Sequence, residues 1–209
     1  MTAFLDARPY GSGIGPTSTV AEFIESARQS LAGSGRMLIA LRCDENEVGP
    51  DQLDSLLTEP VSRFGRLDLT SDHPGRVVED ILLHARSCLS QSFELVQDAS
   101  TKFCSGECVD AMTALIACIQ SWGQVHEAIV KGGQLMRIDF ETLLIRGRSV
   151  QAWLSGLVDR LREIKGAVES NDLVLLADML KYELDESLQE WEGFVDGLID
   201  HVRKSAAAA

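Results

Sequence analysis

Aromatic side chains are scarce, 6% of 209 residues, so a folded core must be packed mainly from aliphatic groups. Bases are also in deficit. Lys and Arg number 19 against 32 Asp and Glu, leaving a net charge of −13 and a pI near 4.7. Affinity for nucleic acid or an anionic membrane surface comes from clustered cations, so this balance argues against both as partners. No stretch approaches the roughly 20 uninterrupted apolar residues of a membrane-spanning helix. The N-terminal residues show no basic start followed by an apolar run, so no signal peptide is expected. The five cysteines (Cys43, Cys88, Cys104, Cys108 and Cys118) are odd in number. Together these features predict reduced thiols and a cytoplasmic protein.

Sequence patterns that carry chemistry are missing too. Cys104 and Cys108 have a spacing that metal ligands use, but no second close pair accompanies them. About 15 Å of helix would separate Cys108 from Cys118, too far for one metal. Di-iron bundles place Glu three residues before His. Here those positions before His73, His84, His126 and His201 hold Thr70, Ile81, Gly123 and Leu198. Asp80 and His84 read as a surface i,i+4 pair. The glycines from Gly11 to Gly15 lack dinucleotide-loop spacing, and neither a Walker A lysine loop nor a GxSxG elbow occurs. No catalytic residue, cofactor or metal is therefore assigned.

What is present is helical periodicity. Residues 1–17 (with Gly11-Ser12-Gly13-Ile14-Gly15-Pro16) read as a flexible arm, and residues 18–71 as a small α/β subdomain. Within it, a short helix capped by Thr17, Ser18 or Thr19 runs through Val20 to Leu31, and strands cover Arg36–Cys43 and Arg66–Thr70. A short helix opened by Pro50 lies between the strands, a β-α-β layer expected to pack on something larger. Residues 72–204 predict four long helices, at about Gly75–Thr101, Glu107–Val130, Asp139–Val168 and Asn171–Val202. Short connections favour antiparallel neighbours. The fold class is thus mainly α, an antiparallel bundle of about four long helices with a small N-terminal β-containing layer, and residues 205–209 form a frayed tail.

The last helical segment is the most polarised. Leu173, Leu176, Leu180, Leu184, Leu188, Trp191, Val195, Leu198 and Val202 form one apolar stripe. From Glu169 to Asp200 there are ten acids and one base, a local balance of −9. Arg146 to Lys165 carries five bases and two acids, which favours packing of the two helices on each other. Helical arithmetic projects Leu175, Met179 and Tyr182 onto the outer face, flanked by acids including Asp178 and Glu186. An apolar strip with an acidic rim suits a basic amphipathic helix. The sequence therefore predicts a non-enzymatic interaction module, an adaptor or chaperone-like bundle that binds a partner helix or self-associates as a homodimer. The alternative is a small-ligand- or metal-binding enzyme with its site between the β layer and the bundle, using Arg36, Arg42, Arg63 and Arg66 to hold an anion.

Overall fold

The computed structural model describes residues 1–11, 15 and 17–207, with backbone alone at 183–186. Ser12, Gly13, Ile14 and Pro16 of the expected arm, and Ala208 and Ala209 of the expected tail, lie outside the described residues. The chain is mainly helical with a small mixed sheet near its N-terminus. It divides into two compact units, Met1–Val77 and Val78–Ala209.

In the first unit the strands are β1 (Thr2–Leu5), β2 (Arg8–Pro9), β3 (Met37–Cys43), β4 (Asn46–Glu47) and β5 (Arg66–Asp72). They lie in the order β2-β1-β5-β3-β4, with β1 parallel to β5 and the other pairs antiparallel. The reading of residues 1–17 as an arm is therefore corrected over Thr2–Pro9, which supply two strands. The register sets Leu41 against Leu69 and Cys43 against Leu67, so alternate residues meet on one buried face. Helix α1 (Val20–Leu31) covers that face with Val20, Phe23 and Ala27. Its start is fixed by a capping box, in which the Thr19 hydroxyl accepts from Glu22 N–H and the Glu22 carboxylate accepts from Thr19 N–H. Helix α2 (Pro50–Leu56) adds Leu53 and Leu56, and a single 3₁₀ turn at Val61–Arg63 adds Val61. With five strands the unit has a core of its own, which two strands could not build.

Two of its hairpins turn through residues with positive φ at both central positions, Asp6-Ala7 (51° and 61°) and Asp44-Glu45 (49° and 72°). That geometry matches the twist of antiparallel strands. The Asp6 carboxylate is fixed further by accepting from the N–H and the hydroxyl of Ser71, each at 2.7 Å, and it pairs with Arg36 at 3.2 Å.

The second unit is built on α3 (Pro74–Ser105), α4 (Cys108–Met136), α5 (Val150–Glu169), α6 (Leu173–Asp178) and α7 (Asp185–Ala207). A π-helical segment, Met179–Leu184, joins α6 to α7. Pro74 begins α3, where its missing N–H costs nothing. Gly106, at φ 83°, makes the turn into α4. The Ser149 hydroxyl caps α5 and the Asp172 carboxylate caps α6. One buried cluster takes side chains from α3, α4, α5 and the α6–α7 segment, including Leu89, Leu115, Ile164, Leu180 and Phe194.

Two expectations are corrected here. The third long helix starts at Val150 rather than Asp139, because Leu144–Ile145 (β6) and Arg148–Ser149 (β7) form a small hairpin. Its turn, Arg146-Gly147, has positive φ at both positions (53° and 80°), which no α-helix accepts. The last helix extends through Ala207, so the described part of the tail is helical. Charged groups of α7 also pair with α3. Asp196 pairs with Arg86 of α3 at 2.7 Å and Glu192 accepts from Ser90 of α3 at 3.0 Å, while Glu79 of α3 pairs with Arg203 of α7 at 2.8 Å. Pairs on α5 include Asp159–Arg162 and Lys165–Glu169, both within the helix.

Candidate functional site

The expected outer strip is partly present. Leu175 is 45% exposed and Tyr182 61%, with Val174 beside them at 74%, and Asp178 is exposed. Met179 is only 4% exposed and belongs to the core, so its assignment to the strip is corrected. The π segment starts at Met179 and takes in one residue more per turn than uniform α-helical arithmetic allows. The buried face contains Leu176 before it, Met179 and Leu180 within it, and Leu188, Trp191, Phe194 and Val195 after it. The side chain of Glu186 lies outside the described residues. Lys181 sits over the Tyr182 ring at 5.1 Å.

The four arginines weighed as anion ligands are already engaged with carboxylates. Arg36 pairs with Asp6 at 3.2 Å, Arg42 with Glu47 at 3.7 Å, Arg63 with Glu59 at 2.6 Å and Arg66 with Asp68 at 2.7 Å. All five cysteines are free thiols, with Cys104 exposed and Cys108 half-buried. Among the described residues, no three or more His, Cys, Asp or Glu side chains gather as metal ligands. Cys88 lies 3.8 Å from His84 Nε2 and 3.6 Å from Gln124 Oε1, an inter-residue contact made by a buried thiol.

A different feature stands out in the second unit, a cavity of about 180 Å³ between α4, α5 and α7. Its walls carry all three tryptophans of the chain, Trp122, Trp153 and Trp191. Trp191 meets Trp122 edge-on with centroids 5.2 Å apart, and meets Trp153 edge-on at 5.8 Å. Phe194 stacks on Trp153 at 4.8 Å. Such offset and edge contacts are the favoured arrangements of aromatic quadrupoles, each worth about 0.5–1.5 kcal/mol beyond area burial. Small residues beside the large rings, Cys118, Gly156 and Ser187, leave the space open.

The β6–β7 hairpin supplies the charged edge of this cavity. Trp153 Nε1 donates to the Ile145 carbonyl at 3.1 Å, which ties the indole to the hairpin. Arg148 lies with its guanidinium 4.3 Å from the Trp153 ring centroid and donates to the Ala152 carbonyl at 3.4 Å. It makes no ion pair among the described residues. Arg160 and Glu190 complete the charged lining. Burial pushes the Cys118 thiol up to about 11, with the Trp122 indole lowering it in part. Trp122 itself is 2% exposed, and among the described residues its Nε1 has no partner of good hydrogen-bond geometry.

Sequence reasoning placed Trp191 correctly on the buried stripe but missed Trp122, Trp153 and Arg148 as one cluster. The usable signal was the concentration of the rare aromatics in helical segments, each near a small residue.

No helix among the described residues is long and apolar enough to cross a membrane. No curated protein and no solved structure matches the chain. Residues 80–194, more than half of the sequence and nearly all of the cavity-bearing unit through Phe194, match the family described as "Domain of unknown function (DUF8042)", and the chain belongs to that family.

Proposed function

We propose that this chain is a non-enzymatic binding module whose second unit is an antiparallel bundle of four long helical segments. The shared core of α3, α4, α5 and α6–α7 supports that arrangement. The observation that carries the binding role is the outward apolar group on the last helical segment, Val174, Leu175 and Tyr182, beside the exposed acid Asp178. Large apolar side chains exposed together beside charge are typical of protein contact sites. A basic amphipathic helix of a protein partner fits this group best, because the chain's charge of −13 favours cations and disfavours polyanions. A homodimer through the same face is the other occupant. The five free thiols and the acidic balance are consistent with a cytoplasmic location.

The test is the double variant Leu175→Asp/Tyr182→Asp. Both side chains are exposed, so the circular dichroism spectrum and thermal midpoint should match wild type. The variant should lose a partner that wild type retains in affinity capture from native lysate, or should lose a dimer that light scattering detects for wild type. Capture and association unchanged in a folded variant reject this surface.

A further inference from the structure

We propose that the tryptophan-walled cavity between α4, α5 and α7 is a binding site for a small aromatic carboxylate, a single planar ring bearing one negative charge. This site goes beyond the partner surface at Leu175 and Tyr182, and none of those exposed residues lines it.

Size comes first. The cavity is about 180 Å³. An apolar cavity of about 150 Å³ admits benzene, so one ring with a short substituent fills this space. Shape comes second. The faces and edges of Trp122, Trp153 and Trp191 favour a flat guest that can stack or meet them edge-on over a puckered aliphatic one.

Charge gives the third argument. Arg148 is the cation whose commitments leave it available, with one long hydrogen bond to a carbonyl and a stacking contact on Trp153. Stacking holds the planar guanidinium in one orientation, and a carboxylate can accept two parallel N–H bonds from it. Gly156 faces this arginine. A Cβ there would come within 3.4 Å of Nη2 and fill the space beside the guanidinium. Glu190 on the α7 wall adds a negative charge, which disfavours a dianion over a monoanion.

The fourth argument is the indole N–H of Trp122. Buried donors almost always have good acceptors, and among the described residues this one has only the weakly accepting Cys118 sulfur beside it. An acceptor atom on a guest in the cavity would satisfy it.

Because all three tryptophans line the cavity, intrinsic fluorescence reports on it alone. The experiment titrates the full chain with benzoate, benzamide and cyclohexanecarboxylate, and follows the three indole N–H resonances by ¹⁵N NMR. Benzoate should give saturable quenching and shift the Trp122 indole signal. Benzamide, which keeps the ring without the charge, and cyclohexanecarboxylate, which keeps the charge without the planarity, should bind at least about tenfold more weakly. Arg148→Gln should weaken benzoate by about ten- to a hundredfold, the range of a hydrogen bond to a charged group. Arg162→Gln, outside the cavity lining, should leave it unchanged. Non-saturating quenching overturns the proposal, as does equal binding of benzoate and benzamide. So does an Arg148→Gln variant that folds, shown by the same three dispersed indole signals, and binds benzoate as wild type does.

Discussion

Five helix glycines receive the same substitution, Gly→Ala, with opposite expected outcomes. In an open helical position the change gains about 0.8–1.0 kcal/mol, because glycine loses more backbone entropy on folding. Gly123 on α4 and Gly166 on α5 have nothing within 4 Å of an added Cβ, so both variants should gain about that amount. At Gly197 on α7 the added carbon would lie 2.5 Å from Cγ2 of Ile145, a residue 8% exposed whose carbonyl holds Trp153. At Gly133 on α4 it would run into the Phe140 ring. Overpacking costs about 1–3 kcal/mol. The sum is a loss of about 1 kcal/mol at each site, or roughly 2 kcal/mol below the open-position variants. Gly193 distinguishes a movable neighbour from a fixed one. Its nearest neighbour is the guanidinium end of Arg146, an exposed side chain that can swing away. Gly193→Ala should therefore behave like the open positions.

The assay is thermal unfolding followed by tryptophan fluorescence. It reads the second unit by itself, since that unit holds all three tryptophans, and it avoids merging transitions of two units. The thermal midpoint should rise by about 2–4 °C for Gly123→Ala and Gly166→Ala and fall by a similar amount for Gly197→Ala. If Gly197→Ala and Gly133→Ala are as stable as Gly123→Ala, the hairpin does not pack on α7, Phe140 does not pack on α4, and the cavity edge is placed wrongly.

Two pH dependences follow, one from a buried thiol and one from a half-buried carboxylate. The Cys118 thiol is raised from 9.0 to about 11, so its neutral form stabilises the fold fully below pH 9, and that contribution is lost as pH rises through about 11. Relative to Cys118→Ala, wild type should lose about 2–3 kcal/mol between pH 9 and 11, and parallel stability curves for the two proteins refute the burial of this thiol. In the first unit, burial pulls the Asp6 carboxyl upward, but the Ser71 hydroxyl and N–H and the Arg36 guanidinium outweigh it and hold it below 3.8. Its stabilisation is present above pH 3.8 and is lost as pH falls through the lower folded value. Asp6→Asn should increase exchange of the first unit's strand amides at pH 7 and flatten its acid-induced loosening below pH 4; an unchanged acid limb refutes the linkage.

The long helices were legible because their apolar spacing persists over many residues and repeats one period. Pro74 and Asp172 then mark starts through known first-turn and capping chemistry. The hairpins were not legible for a local reason. Their central pairs, Asp6-Ala7, Asp44-Glu45 and Arg146-Gly147, include only one glycine, so the usual Asn-Gly or Asp-Gly signal is absent. Tertiary contacts supply what the turn residues do not. Asp6 is held by Ser71 and Arg36, and Asp44 accepts from Arg66 N–H at 2.8 Å. For the third hairpin, the Ile145 carbonyl accepts from Trp153.

The same distinction explains why the cavity was hidden. Trp122, Trp153 and Trp191 each satisfy the periodicity of their own helix, and periodicity alone reads each as ordinary core. Their convergence depends on a break in that periodicity. The hairpin ends the chain's extended approach at Ser149, which sets the phase of α5 from Val150 and places Arg148 against Trp153. On the last helical segment no break is needed to bring Trp191 inward. Leu176 and Phe194 are eighteen residues apart, about five α-helical turns, so uniform periodicity already puts them on one face with Trp191 close by. What periodicity could not reach was the hairpin, because an uninterrupted helix through residues 139–149 leaves Arg148 no reason to lie against the Trp153 ring.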